Sequence, residues 1–398
     1  MEKKIKLLFV ISNFNIGGPQ KSLIALFDKI DYEKFSVDLM ILSPGGSLTK
    51  YINKNVKVLE TPPLLTAFTL PADNIIKHLK TIRTHCGVHV AADAVKQLIK
   101  GKTKYDNISV SRQWFWFENN KHVPVLSGSY DAAFGILGLS TYYIINCVNA
   151  KNKYHWIRSD TRILHHDESI DSLYFKECTG FLSVSKDCAK IFEDIYPFSE
   201  GNIRTFYNYI PETFYASLPV DTDVMKSDCG EIKIITVCRL DPFKGLEMAI
   251  DACKILKDEF GRIKWFVLGD GKYRAEVEKM IKDKGLEDTF ILLGFQYNTL
   301  AFINKADIVV HPSRSEGKSN AVDEALYCCK PTIVTNYPTA KEVITSGRNG
   351  IISEMNGESL AECIKTVIND HPLRMSIIEE CKKEKFSADA NEVLEELC

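Results

Sequence analysis

Residues 311–325, HPSRSEGKSNAVDEA, lie between two apolar runs, Ile308 to His311 and Thr332 to Thr335, that read as buried parallel strands. The stretch places Glu316 in a glycine-containing loop and Glu324 on the helix that follows. Asn320 has N-cap chemistry with Asp323 three positions on, which predicts a helix starting at Ala321 with Glu324 in its second turn. Backbone amides of Lys318, Ser319 and Asn320 at such a start form an anion site. Two carboxylates with seven residues between them can accept hydrogen bonds from sugar and ribose hydroxyls while the amides hold a phosphate. The same residues also read as a solvated loop acid followed by an acidic first turn that favours the helix dipole. The rest of the chain decides between the two.

Around this stretch, Ile232 to Cys238, Ile263 to Leu268, Phe290 to Leu293 and Gly350 to Ile352 are further short apolar runs. Helix-patterned segments separate them, so the second half reads as one parallel α/β sheet. After the first of these strands comes Arg239-Leu240-Asp241-Pro242-Phe243-Lys244-Gly245. A loop at the carboxyl end of a parallel strand opens on the crevice where such sheets bind ligands. An Arg fork and a Lys point charge there suit a diphosphate, although a surface Arg/Lys pair has the same appearance. Gly269-Asp270-Gly271 follows the next strand, but Arg274 stands where a dinucleotide fingerprint needs its third glycine.

The first half opens in the same way. Ile5 to Ile11 is a strand, Gly17-Gly18-Pro19 a turn, and Ser22 to Phe27 the start of a helix with an apolar face. Phe35 to Leu42, Val56 to Leu59, Tyr130 to Leu137, Tyr154 to Ile157 and Thr179 to Val184 continue the strands, with an apolar helix over Tyr142 to Asn146. From Lys77 to Lys104 seven basic residues stand against the single acid Asp93. Interleaved with apolar residues, this run reads either as a solvated helical face or as a patch for an anionic membrane surface or an acidic substrate. Phe206 to Pro211 and the polar stretch to Gly230 form the best linker. The predicted organisation is therefore two α/β domains, 1–207 and 208–375, followed by a helical tail, 376–398, that packs back on the first.

The 398 residues suit two independent cores, and a net charge of -2 argues against bulk nucleic-acid binding. The 12 cysteines contain no C-x-x-C pair, which fits free thiols in a reducing cytosol. No apolar run approaches the roughly 18 residues of a membrane span. The N-terminal MEKKIKLLFVISNF lacks a cleavage site and reads as a first strand rather than a signal peptide. The expected location is the cytoplasm, with peripheral attachment to the inner membrane face if the basic run is a membrane patch. No metal-ligand constellation, G-x-S-x-G elbow or Walker A loop is visible.

Taken together, Gly17-Gly18, Asn208, Arg239 with Lys244-Gly245, Gly269-Asp270-Gly271, Glu316 to Glu324 and Lys330-Pro331 leading to Thr335 and Gly350 resemble the retaining glycosyltransferases of family 4. This is the large "group 1" family with GT-B architecture. The resemblance covers nearly the whole chain and is most specific in the second half. Tyr130 to Asp160 resembles the surface and capsular polysaccharide branch. It implies two facing Rossmann-like domains with a cleft between them. It also implies transfer of a sugar from a nucleotide-diphosphate donor, a UDP-sugar being favoured, to a glycan or lipid-linked acceptor with retention of configuration. No cofactor and no metal are expected.

The resemblance further implies that Arg239 and Lys244 neutralise the diphosphate, that Glu324 holds the ribose and that Glu316 faces the donor sugar. Gly17, Gly18, Gly269 and the segment Lys318, Ser319 and Asn320 complete the donor site. On the acceptor side, many relatives have His where this chain has Arg158, in Trp156-Ile157-Arg158-Ser159-Asp160. A guanidinium cannot serve as general base, which leaves Asp160 as the catalytic candidate, with His155 and Arg158 as acceptor-side candidates. Arg158 is expected either to pair with Asp160 or to steer an acidic acceptor group. The other readings carried forward are a sugar-nucleotide epimerase of the same architecture and a non-catalytic sugar-nucleotide-binding protein.

Overall fold

A computed structural model describes residues 3–105, 107–219, 221–226, 228–383 and 389–398. The chain forms two compact units, Met1–Pro211 with Ala388–Cys398, and Glu212–Ser387. Each is built on a parallel sheet. In the first, β1 (Ile5–Ile11), β2 (Phe35–Ile41), β3 (Lys57–Val58), β4 (Tyr130–Ile136), β5 (Ala150–Ile157), β6 (Gly180–Ser183) and β7 (Ile203–Thr205) are ordered β3-β2-β1-β4-β5-β6-β7. In the second, β8 (Ile232–Val237), β9 (Ile263–Leu268), β10 (Phe290–Gly294), β11 (Ile308–His311), β12 (Thr332–Thr335) and β13 (Ile351–Ser353) are ordered β10-β9-β8-β11-β12-β13.

Both orders start at a central strand, run outward one way and then restart on its other side, the doubly wound Rossmann arrangement. The switch points fall between β1 and β4 and between β8 and β11. Crossover helices cover both faces of such sheets, which is why the last five residues of β1, Leu7 to Ile11, are all apolar and all buried. In the second unit, Ile234, Trp265, Val267, Val310 and Ile333 form one core with the helix Leu246–Phe260.

Several boundaries differ from the sequence expectation. The segment read as a linker contains a helix, Glu212–Ala216, and its aromatic residues Phe206, Phe214 and Tyr215 are buried. Aromatic burial outweighed its polar pattern. The two units divide at Pro211/Glu212, against the expected break after residue 207. The tail is not one piece: the helix His371–Lys383 belongs to the second unit and Ala390–Glu396 to the first. There Asn391 Oδ1 accepts from Asp31 N at 2.8 Å, and the Tyr154 hydroxyl donates to Leu397 O at 2.9 Å.

Two elements bear on partners. The basic run forms helices Ile75–Cys86 and Val88–Thr103, which bury Ile82, Val90 and Ala94 but leave Ile76 69%, Val88 60% and Ile99 57% exposed. Among the described residues no helix is long and apolar enough to cross a membrane. Among the described residues the cysteines form no disulfide.

Candidate functional site

The carboxyl ends of β8 and β11 flank the switch point of the second sheet, where open α/β sheets bind ligands. Two loops leave there side by side. Gly245 follows the first in left-handed backbone, φ +61°, and a Cβ on it would lie 2.1 Å from Pro312 O. Glycine therefore lets the loop after β8 press against the loop after β11. That contact brings Lys244 to Glu316, with Nζ 2.6 Å from Oε1 and both side chains largely buried.

His311 completes this cluster. Its Nε2 lies 2.7 Å from the same Glu316 oxygen and 3.2 Å from Ser319 Oγ, while its buried Nδ1 has no partner. Burial by itself raises the Glu316 pKa, but the hydrogen bond and charge of His311, with the charge of Lys244, reverse this and hold it at about 2. The carboxylate is thus ionised and fixed between two nitrogen donors. Arg239 stands apart: its side chain is 79% exposed and, among the described residues, its ion pair is with Asp241, at 3.4 Å. One cation is locked into the site and the other extends into solvent.

The helix after Glu316 begins one residue earlier than expected. It spans Asn320–Tyr327, and the cap is Ser319, whose Oγ accepts from Val322 N at 3.4 Å. Ser319 holds this position because its backbone is extended while its hydroxyl also meets His311. Lys318 forms a buried ion pair with Asp323. Burial raises the Asp323 pKa and the Lys318 charge opposes it.

Glu324 is buried, and both its oxygens are engaged. The Tyr215 hydroxyl donates to Oε1, and Thr299 Oγ1 donates to Oε2 at 2.7 Å. Neither partner was identified from sequence. Tyr215 lies in the stretch read as a linker, and Thr299 opens the helix Thr299–Lys305.

Gly269 has a different explanation from the one expected. Its φ is +139°, and a Cβ there would sit 1.8 Å from Cys238 O. What requires glycine is the close passage of two chain segments of the same sheet, so no donor contact is needed to account for it. Gly17 is in extended backbone that any residue adopts, directly before the helix Gly18–Lys29. Its carbonyl accepts from Lys21 N at 3.1 Å.

In the first unit the acceptor-side candidates separate. His155 faces the core and is 4% exposed, stacked 4.2 Å from Phe175, with Nδ1 2.6 Å from Thr141 Oγ1. Burial holds its pKa at about 3. Enclosed by Phe175 and Phe192 on one face of the sheet, it is packed as a core residue. Asp160 is likewise occupied. It caps the short helix Thr161–Leu164 through Arg162 N at 2.9 Å, and its carboxylate takes both Nε and Nη2 of Arg162. That satisfaction argues against Asp160 as a catalytic group and against the expected pair with Arg158. Asn208, the linker residue of the resemblance, accepts from Ser22 Oγ at 2.7 Å within the first unit.

Among the described residues, no group of three or more His, Cys, Asp or Glu side chains is placed to hold a metal ion.

Residues 222–384 match the family model described as glycosyl transferases group 1. The match supports a group 1 glycosyltransferase assignment for the second unit, and the matched residues include Lys244, Glu316 and Glu324. An uncharacterized glycosyltransferase of Methanocaldococcus jannaschii is 33% identical over 37% of this chain and 41% of its own length. A Campylobacter jejuni enzyme named as an N-acetylgalactosaminyltransferase acting on a diphospho-undecaprenol-linked sugar is 32% identical over 35% of this chain and 38% of its own. The chain thus spans about two fifths of these relatives' length. The crystal structure of Anabaena Alr3699/HepE in complex with UDP superposes with a TM-score of 0.67, at 18% identity, over 99% of both chains. That likeness establishes the fold: two Rossmann-like domains of the GT-B kind.

Proposed function

We propose that the protein transfers a sugar from a nucleotide-diphosphate sugar, with a UDP-sugar favoured, to a glycan or lipid-linked acceptor. The reaction retains anomeric configuration and serves surface polysaccharide assembly. The observation that carries this reading is the cluster at the β8/β11 switch point, where His311 and Lys244 hold Glu316 ionised, while Arg239 extends into solvent from the same loop that carries Lys244. Lys244 has three donors, of which one meets Glu316. The others, with the Arg239 fork, suit a diphosphate whose charge grows as the sugar leaves.

Glu316 then faces the donor sugar as an acceptor of hydroxyl protons, and Glu324 orients the ribose through a carboxylate braced by Tyr215 and Thr299. The departing phosphate removes the acceptor proton, so no enzyme nucleophile and no metal is required. The UDP of the Anabaena complex and the undecaprenol-linked substrate in the Campylobacter enzyme's name support the substrate classes. The exposed apolar and basic helices Ile75–Cys86 and Val88–Thr103 would bring the protein to the cytoplasmic face of a membrane carrying such an acceptor.

The test is chromatographic: purified protein is incubated with a panel of UDP- and GDP-sugars and a polyprenyl-diphosphate glycan acceptor. The reading predicts nucleoside diphosphate together with an extended acceptor. Turnover to an altered nucleotide sugar without extension would instead identify an epimerase, and no turnover with any pair would contradict the transferase.

A further inference from the structure

The carboxyl end of β5 holds three side-chain atoms withdrawn from water that lack a hydrogen-bond partner: Trp156 Nε1, Arg158 Nε and Ser159 Oγ. The guanidinium lies over the indole, 5.1 Å from the ring centroid, and Phe206 stacks on the indole at 5.4 Å with an interplanar angle of 27°. This packing holds the guanidinium in place.

The neighbouring counter-charge is already spent, because Asp160 binds Arg162 through both carboxylate oxygens. Among the described residues no carboxylate comes within ion-pair distance of Arg158. Burial pushes its pKa down to about 9. A half-buried cation with no counter-ion and a donor left unpaired costs folding free energy unless something outside the chain completes it.

The chemistry of the missing partner follows from the donor set. An indole N–H and a guanidinium can only donate, and a hydroxyl can donate alongside them. An acceptor-only group matches all three, and a planar or tetrahedral oxyanion suits the Arg fork. The position, at the carboxyl edge of a parallel sheet, is the edge on which such sheets bind ligands. We propose that Trp156, Arg158 and Ser159 form a subsite in the first unit for an oxyanion, carboxylate or phosphate, carried by a sugar substrate. The proposal rests on the transferase reading above and specifies that one of its sugars is acidic.

The test is calorimetric titration of the full-length protein with glucuronate, glucose 6-phosphate, glucose and inorganic sulfate, and separately with UDP. The wild type is expected to bind one of the two charged sugars at least about tenfold more tightly than glucose. Preference for glucuronate identifies a carboxylate, and preference for glucose 6-phosphate a phosphate. Arg158→Gln should abolish the preference, Arg158→Lys should keep part of it, and Ser159→Ala should weaken it while leaving the fold intact. UDP affinity should be unchanged in all three.

Equal binding of charged and neutral sugars by the wild type overturns the subsite. So does an undiminished preference in both Arg158→Gln and Ser159→Ala. Sulfate binding as tightly as either sugar anion marks an adventitious ion only and also overturns it. Failure of the wild type to bind UDP, with the sugar preference present, counts against the transferase reading instead.

Discussion

Glu316 and Lys244, 72 residues apart in sequence, meet with Nζ 2.6 Å from Oε1 at the carboxyl edge of the second sheet. Each comes from a loop beside the β8/β11 switch point, and His311 meets the same oxygen from the end of β11. The arrangement leaves a buried carboxylate whose charge depends on two partners.

Acid titration should expose that dependence. The folded pKa of Glu316 is held at about 2, below its ordinary 4.5. A depressed carboxylate contributes stability that is fully present above pH 4.5 and is lost as pH falls through about 2. Melting temperatures measured from neutral pH down to pH 2 should therefore fall less steeply for Glu316→Gln than for the wild type. Parallel curves would show that the carboxylate is not so held.

Removing the bracing of Glu324 should affect both stability and binding. Tyr215→Phe deletes a hydroxyl that donates to a buried carboxylate, an interaction worth about 1.5–3 kcal/mol. Urea unfolding should show a loss in that range, and UDP affinity should fall because Glu324 is no longer fixed. Unchanged stability and affinity would mean that Thr299 alone suffices.

Transfer should proceed without added metal. In the proposed reaction Lys244, Arg239 and backbone amides would supply the positive charge that the leaving diphosphate needs. Activity measured in EDTA should match activity in buffer alone. Complete loss, restored by magnesium or manganese, would contradict this.

The helices Ile75–Cys86 and Val88–Thr103 should bind anionic vesicles at low salt. Each lysine near such a surface adds about 1 kcal/mol, so reversing Lys96, Lys100 and Lys102 to Glu should abolish cosedimentation with phosphatidylglycerol liposomes. Equal binding to neutral and anionic vesicles would reduce the run to a solvated face.

What the sequence disclosed follows from how local each signal is. Buried parallel strands are short and predominantly apolar, so β1, β2, β8, β9, β11 and β12 were legible, and with them the doubly wound fold. Lys244 and Glu316 were singled out because loops at strand ends expose their chemistry in the chain itself. Their contact with each other was not legible, since it depends on Gly245 packing against Pro312. Tyr215 and Thr299 carry no local mark, because a Tyr in a polar stretch reads as linker until its burial against Glu324 is seen. His155 and Asp160 looked functional from their neighbourhood, but packing against Phe175 and Phe192 put one in the core and Arg162 occupied the other. Only the side-chain partners could separate Arg158 from Asp160.

The central claim, that the second unit binds a nucleoside diphosphate through the cations at its switch point, is tested most directly by calorimetric titration of UDP into wild type and Lys244→Ala. The account predicts binding by the wild type and affinity at least about tenfold weaker in the variant, as expected for loss of a charge-assisted contact. Equal affinity in the two proteins, or no heat with UDP or GDP in the wild type, would contradict it.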